Sequence, residues 1–375
     1  MKKDEAPIAR WVIEPPGPEV ECSLRRLARA PGVRRVAVMP DVHLAEQVCV
    51  GVALATDALV YPSAVGGDIG CGMAALALDG EVSALTGIDR HAILAALARA
   101  APVIRQSGAE SSLALLEGPP LSHPSLRRRA RRDASVQLGT LGRGNHFLEL
   151  QHDEDERLWI TVHSGSRAMG PAIRDHHLAR APSAGAALSF LVADSDEGRA
   201  YLSDVEWARR FAALGRRLML ERAVARLQDA ISIAADWRTF RDCDHNHVQL
   251  ERHGDEALWI HRKGALAAHA DAPGIIPGSM GTSSFLVNGR GHAQALRSSS
   301  HGAGRRLSRV EARRRVTPRQ LEREMGRVVI DRRRRSRLVD EAPSAYRDID
   351  RVMRAQRALT RIERRLWPLV VHKGS

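Results

Sequence analysis

Five short segments of this chain present histidine, cysteine or aspartate, four of them among glycines. They are Gly66-Gly67-Asp68-Ile69-Gly70-Cys71-Gly72, Gly142-Arg143-Gly144-Asn145-His146, Val162-His163-Ser164-Gly165-Ser166-Arg167, Asp244-His245-Asn246-His247 and Ser300-His301-Gly302-Ala303-Gly304-Arg305. A carboxylate, a thiolate and several imidazoles make a mixed donor set with enough ligands for two ions. Such a set suits a borderline divalent cation such as Mn²⁺ or Zn²⁺ better than Mg²⁺ or Ca²⁺. Asp68 and Cys71 stand three apart in a glycine-rich turn, so both side chains can converge on one point while the backbone stays clear. The bland alternative is a buried structural cysteine beside a turn aspartate. Near residue 245 the choice stays open: His247 shares a face with His245 if the stretch is extended, and Cys243 reads as packing. The small residues after His301 let a phosphate approach the backbone, and Arg305 can offset its charge.

These segments need turns held by regular elements. Residues 33–39 and 48–59 are rich in Val, Ala and Leu and bounded by Pro and Gly, as buried strands are. Residues 88–101 read as a helix. A basic stretch at 127–132 precedes the glycine turn at 138–145, and 147–150 with 158–162 read as paired strands, so the histidines fall at strand ends. From 201 to 234 apolar residues recur every three or four positions, which predicts a long amphipathic helix, with Gly215 as the place for a kink. Strands are expected at 248–250 and 257–261, glycines punctuate 273–291, and helices are expected at 318–325 and 343–364. The alternation indicates a mixed α/β protein.

The chain has 375 residues, 44% of them hydrophobic, and a formal net charge of +13. No Gly/Ser- or Pro-rich linker divides it, and the ligand segments come from both halves, so one domain over 1–375 is expected. No apolar run approaches the roughly 20 residues that span a bilayer. Met1-Lys2-Lys3-Asp4-Glu5 is followed by no apolar signal core, and Cys22, Cys49, Cys71 and Cys243 are too few and scattered for a disulfide scaffold; a reducing cytoplasm fits. Residues 301–339 hold fourteen arginines against Glu311, Glu322, Glu324 and Asp331. Arginine forks pair with phosphates, which points to a polyanionic partner; a solvated surface is the alternative for Arg332 to Arg335.

Met39-Pro40-Asp41-Val42-His43, Gly67-Asp68-Ile69-Gly70-Cys71-Gly72, Leu141-Gly142-Arg143-Gly144-Asn145-His146-Phe147-Leu148-Glu149, His163-Ser164-Gly165-Ser166-Arg167, His301-Gly302-Ala303-Gly304-Arg305 and Lys373-Gly374 together resemble, in order, the RtcB family of GTP-dependent RNA ligases. So many motifs in one order are far more specific than any single Gly-x-Gly. The resemblance implies that Cys71 bridges two Mn²⁺ ions, with Asp68 and His146 completing one site and His163 and His245 the other. The family's His-Asn pattern selects His245 and Asn246 over His247. It makes His301 the nucleophile that attacks the α-phosphate of GTP and carries GMP.

The resemblance also implies a guanosine pocket from Asn145, Glu149, Asn246, the Pro277-Gly278-Ser279-Met280 loop, Gly302, Ala303, Gly304 and Lys373. A carboxylate such as Glu149 can accept from the guanine N1 and N2 donors, which adenine lacks; for Lys373 the alternative is a frayed terminus. His261-Arg262-Lys263-Gly264-Ala265 is similar to a basic family motif. With Arg167, Arg305, Arg332 and Arg333, its Arg262 and Lys263 would meet RNA, and Arg167 and Asn246 would hold the terminal phosphate. The chain departs from the family where Leu44-Ala45-Glu46-Gln47 replaces a Lys-Gly, and where Gly70 and Ala74 stand for an asparagine and an arginine near the metals. It is also short for the family, which favours a repair-type ligase acting on 3′-phosphate or 2′,3′-cyclic phosphate ends and 5′-hydroxyl ends. Two other readings compete: a dinuclear metallophosphoesterase or cyclic phosphodiesterase, which needs no nucleophilic His301, and a non-catalytic basic RNA-binding protein.

Overall fold

The computed structural model describes residues 5–106, 114, 116–181 and 188–374. It is a mixed α/β architecture built on two main sheets, with two further two-stranded sheets. The larger has seven antiparallel strands in the order Pro273–Ile276, Ser284–Gly289, Thr360–Lys373, Phe147–His152, Arg157–Ser164, Gly72–Glu81 and Ala235–Asp244. The smaller has five, in the order Ile8–Arg10, Val33–His43, Val50–Thr56, Glu256–Lys263 and Asn246–His253, with only the first pair parallel.

Both faces of the seven-stranded sheet are covered, which explains the uninterrupted apolar run Met73-Ala74-Ala75-Leu76-Ala77-Leu78. Alternate residues serve different layers. Ala74, Leu76 and Leu78 pack with Leu148, Ile160 and Val162 against helices Arg90–Ala100 and Asp196–Ile231, through Ile93, Leu97, Met219 and Leu220. Met73, Ala75 and Ala77 face the other way, onto Phe147, Trp159, Ile275 and Leu286. Among the described residues no helix is long and apolar enough to cross a membrane.

The long helix begins where Ser195 accepts a hydrogen bond from Gly198 N and runs unbroken through Gly215. One expectation fails. Residues 343–364 are not one helix: a helical turn at Pro343–Ala345 and a short helix, Ile349–Ala355, are followed by the strand Thr360–Lys373. Its first residues, Thr360-Arg361-Ile362-Glu363-Arg364-Arg365, have helical character, but pairing to Ser284–Gly289 on one side and Phe147–His152 on the other overrides it. The glycine-punctuated stretch 273–291 contains two strands.

Candidate active site

The ligand residues sit where strands end. Cys71 immediately precedes Gly72–Glu81, His146 precedes Phe147–His152, His163 closes Arg157–Ser164, and His245 lies between Ala235–Asp244 and Asn246–His253. Strand pairing brings these ends into register: Gly72 opposes both Ser164 and Asp244, and Phe147 opposes His163. Gly72 permits this, because a Cβ there would lie 2.3 Å from the Cys243 carbonyl oxygen.

The result is two groups sharing one sulfur, Asp68–Cys71–His146 and Cys71–His163–His245. Cys71 Sγ is 3.4 Å from His146 Nε2 and 3.2 Å from His163 Nε2, His163 and His245 Nε2 are 3.4 Å apart, and His146 Nε2 is 3.0 Å from Asp68 Oδ2. Backbone carbonyls set the tautomers: Nδ1 of His146 donates to Leu141 O at 2.9 Å and Nδ1 of His163 to Asn145 O at 3.3 Å, leaving the Nε2 lone pairs turned inward. Burial, then neighbouring imidazoles, holds His163 and His245 well below the ordinary histidine range, so both are neutral. Burial, then Asp68, pushes the Cys71 thiol up. Burial also works against the Asp68 carboxylate, whereas the Cys71 thiol and the Arg167 charge favour it. Lone pairs facing one another across 3.2 to 3.4 Å, with a carbonyl behind two of the rings, fit a cation-binding donor set. His247 is not part of it; its Nε2 accepts from Arg262 Nη1 at 3.2 Å. Cys243 packs in the core as expected.

His301 stands beside this cluster, its ring 4.7 Å from that of His245. Its Nδ1 lies 2.6 Å from Oδ2 of Asp41, a fully buried residue that also accepts from the His301 backbone N–H at 3.2 Å. A carboxylate only accepts, so Nδ1 carries the proton and Nε2 keeps its lone pair. Gly304, at φ 69°, lets the chain pass Asp41; a Cβ there would meet the Asp41 carbonyl oxygen at 2.5 Å. Sequence reasoning did not single out Asp41, although its motif was visible in Pro40-Asp41-Val42-His43.

A cleft of about 380 Å³ opens over the cluster, within the range of small-ligand sites. His301, Gly302, Ala303, Gly304, Pro277, Gly278, Ser279, Met280, Asn145, Asn246, Lys263, Arg305 and Lys373 all line it. Lys373 is no frayed end: it closes the Thr360–Lys373 strand, pairs with Glu341 at 2.9 Å and donates to Asn145 O at 2.9 Å. Asn246 joins two walls, donating to Asp68 O at 3.0 Å and accepting from Gly264 N at 2.7 Å. Arg309 and Tyr346 line the cleft too, without having been singled out from sequence. Arg167 lines an adjoining depression with Asp68, His146 and Arg143.

Four expected residues are placed elsewhere. Glu149 does not line the cleft; its carboxylate accepts from Gln151 at 2.9 Å, and burial raises it to about 8 against the pull of Lys373. Arg262 is wholly buried, pairs with Glu251 and donates to Ser298 Oγ and Leu296 O, because alternation along its strand turns it away from the cleft face that Lys263 occupies. Arg332 and Arg333 lie on an exposed turn, Arg333 pairing with Asp331 at 3.0 Å, and border a depression beside helix Arg90–Ala100 rather than the cleft. A separate group, His176, His177 and Glu197, reads as a clasp between helices, since the two ring nitrogens of His177 face Glu197 and Asp204.

Fold and site define a mixed α/β protein with a double cluster of metal-type ligands at the floor of a cleft and a carboxylate-held histidine at its edge. A family model described as tRNA-splicing ligase RtcB matches residues 23–118 and 117–374, and the chain belongs to the RtcB family. It is 35% identical over 422 residues to the RNA-splicing ligase RtcB of Escherichia coli (strain K12), covering 100% of this chain and 99% of that one. It is 28% identical over 436 residues to the RNA-splicing ligase RtcB of Mycobacterium tuberculosis, covering 93% and 99%. It is also 31% identical over 297 residues to the tRNA-splicing ligase RtcB of Nanoarchaeum equitans, covering 65% and 61%.

Proposed function

We propose that this chain is an RNA ligase, acting as one domain in the cytoplasm, that joins an RNA 3′-phosphate, or a 2′,3′-cyclic phosphate first opened by water, to a 5′-hydroxyl. It uses GTP and serves RNA repair. The observation that carries the reading is His301, held by Asp41 with its Nε2 free, in the same cleft as the two ligand groups.

His301 Nε2 attacks the α-phosphorus of GTP; the new N–P bond forms as the bond to pyrophosphate breaks, and Asp41 stabilises the imidazolium that results. An oxygen of the RNA 3′-phosphate then displaces the imidazole, giving an end activated by GMP. The 5′-hydroxyl attacks the RNA phosphorus, loses its proton and releases GMP. Asn145, Ser279, Gly302 and Lys373 hold the nucleotide, and Arg167 and Asn246 the RNA terminal phosphate. The two ligand groups would hold a pair of Mn²⁺ ions, which supply charge neutralisation at phosphoryl oxygens.

The test is incubation with α-labelled GTP and Mn²⁺. Label that is acid-labile and base-stable on the wild-type chain, and absent from His301→Ala, is expected. A folded chain that cleaves a cyclic phosphate but never takes up label would place the metallophosphoesterase reading first.

A further inference from the structure

The guanidinium of Arg216 is 1% exposed, yet the ligand chemistry proposed above gives it no part. It lies on the long helix Asp196–Ile231, and each of its bonds ends on a segment that carries a ligand. Nη1 donates to Gly70 O at 2.8 Å and to Ser164 O at 2.9 Å, the carbonyls next to Cys71 and His163. Nε and Nη2 form a two-point contact with Asp242, both at 2.7 Å, three residues before His245. One planar fork therefore ties together the three chain segments of the Cys71–His163–His245 group. It touches neither His146 nor Asp68. Seven residues, or two turns, earlier on the same helix face, Arg209 binds Asp244 at 2.6 Å, and its Cα would be 2.8 Å from a Cβ on Gly70. The helix is thus seated against this one ligand group.

We infer that Arg216 is the positioning residue that sets the separation of Cys71, His163 and His245, and so governs the divalent-cation affinity of that group more than that of the Asp68–Cys71–His146 group, which shares only Cys71 with it. Each ligand hangs from a strand end, where a shift of the backbone moves the donor atom directly. The fork is rigid and its four bonds are fixed by burial, whereas a lysine at the same place offers a point charge and can satisfy only part of the set. The inference rests on the metal reading of the two groups.

The test is equilibrium dialysis of the full chain against Co²⁺, with the thiolate-to-cobalt absorption recorded alongside. Wild type should bind two Co²⁺ per chain. Arg216→Lys should keep one with the thiolate absorption, while affinity for the other falls about 10- to 100-fold, the usual effect of losing a ligand's supporting partner. Arg217→Lys, on the exposed side of the helix, should match wild type. If Arg216→Lys does not fold, the double variant Arg216→Met, Asp242→Leu, which buries no lone charge, carries the same comparison. Two sites of unchanged affinity would overturn the inference, and so would equal weakening of both, which would make Arg216 general support for the fold. Fewer than two Co²⁺ in wild type would instead refute the metal reading and the inference with it, whereas failure of the inference alone leaves guanylation by GTP untouched.

Discussion

Replacing Asp41 with asparagine tests how the nucleophile is prepared. One oxygen of Asp41 accepts both the Nδ1 proton and the backbone N–H of His301, while Oδ1 is buried without a partner. An asparagine has two ways to sit. If its oxygen stays on His301, its amide group occupies the Oδ1 place with nothing to donate to, which costs about 1–3 kcal/mol. If it turns over, the His301 N–H faces the amide group and loses its acceptor, also about 1–3 kcal/mol, while the amide donates to Nδ1. Turned over, it forces the ring proton onto Nε2, the atom that must attack phosphorus. An aspartate-to-asparagine change that imposes the wrong tautomer on a catalytic histidine costs about 10⁴ in rate, or about 5.4 kcal/mol of barrier. Asp41→Asn should therefore slow single-turnover guanylation from α-labelled GTP by about 10³- to 10⁴-fold. Asp41→Ala, which leaves Nδ1 to water and either tautomer open, should lose only about 10²-fold through misorientation. Sealing of RNA that already carries a 3′-guanylylated end should survive in both. A folded Asp41→Asn chain that guanylates within about threefold of wild type, or one faster than Asp41→Ala, would refute the tautomer argument.

His301→Ala should abolish guanylation and sealing of 3′-phosphate RNA yet still seal pre-guanylylated RNA; loss of all three activities in a folded variant would mean that the residue holds the site together. Burial lowers Lys263 to about 8 from 10.5, so between those pH values the unfolded chain binds more protons and stability rises with pH, by about 3 kcal/mol across the window. Urea titrations of Lys263→Met at the two ends of that window should lack this rise. Charge reversal at Arg332 and Arg333 should weaken RNA binding at every sequence and flatten its salt dependence, with the slope read from binding across a salt series; unchanged binding would return them to solvated surface.

The ligand turns were legible because their chemistry is local: glycines lie near every donor but His245, and a strand follows or precedes each. The long helix was legible from its period. What could not be read was where elements meet. The Met73 to Leu78 run is apolar on both faces, so periodicity is silent about the strand at the heart of the sheet. The residues opening Thr360–Lys373 look helical, and only two neighbouring strands make them extended. Arg262 and Lys263 are adjacent and equally basic, yet one is locked on Glu251 and the other faces the cleft. Asp41 stood in a recognised motif, but its partner lies 260 residues away.

That separation also bears on how the chain reaches its working form. His301 meets Asp41 across 260 residues, and Lys373 meets Asn145 across 228. Closing such long loops yields no reward until both ends are docked, which makes folding slow and places these pairings late. Helices can regain their signal while the cleft is still unassembled. On dilution from denaturant, far-ultraviolet ellipticity should recover ahead of the ability to take up GMP, so the catalytic signal dates the final event of folding rather than its onset.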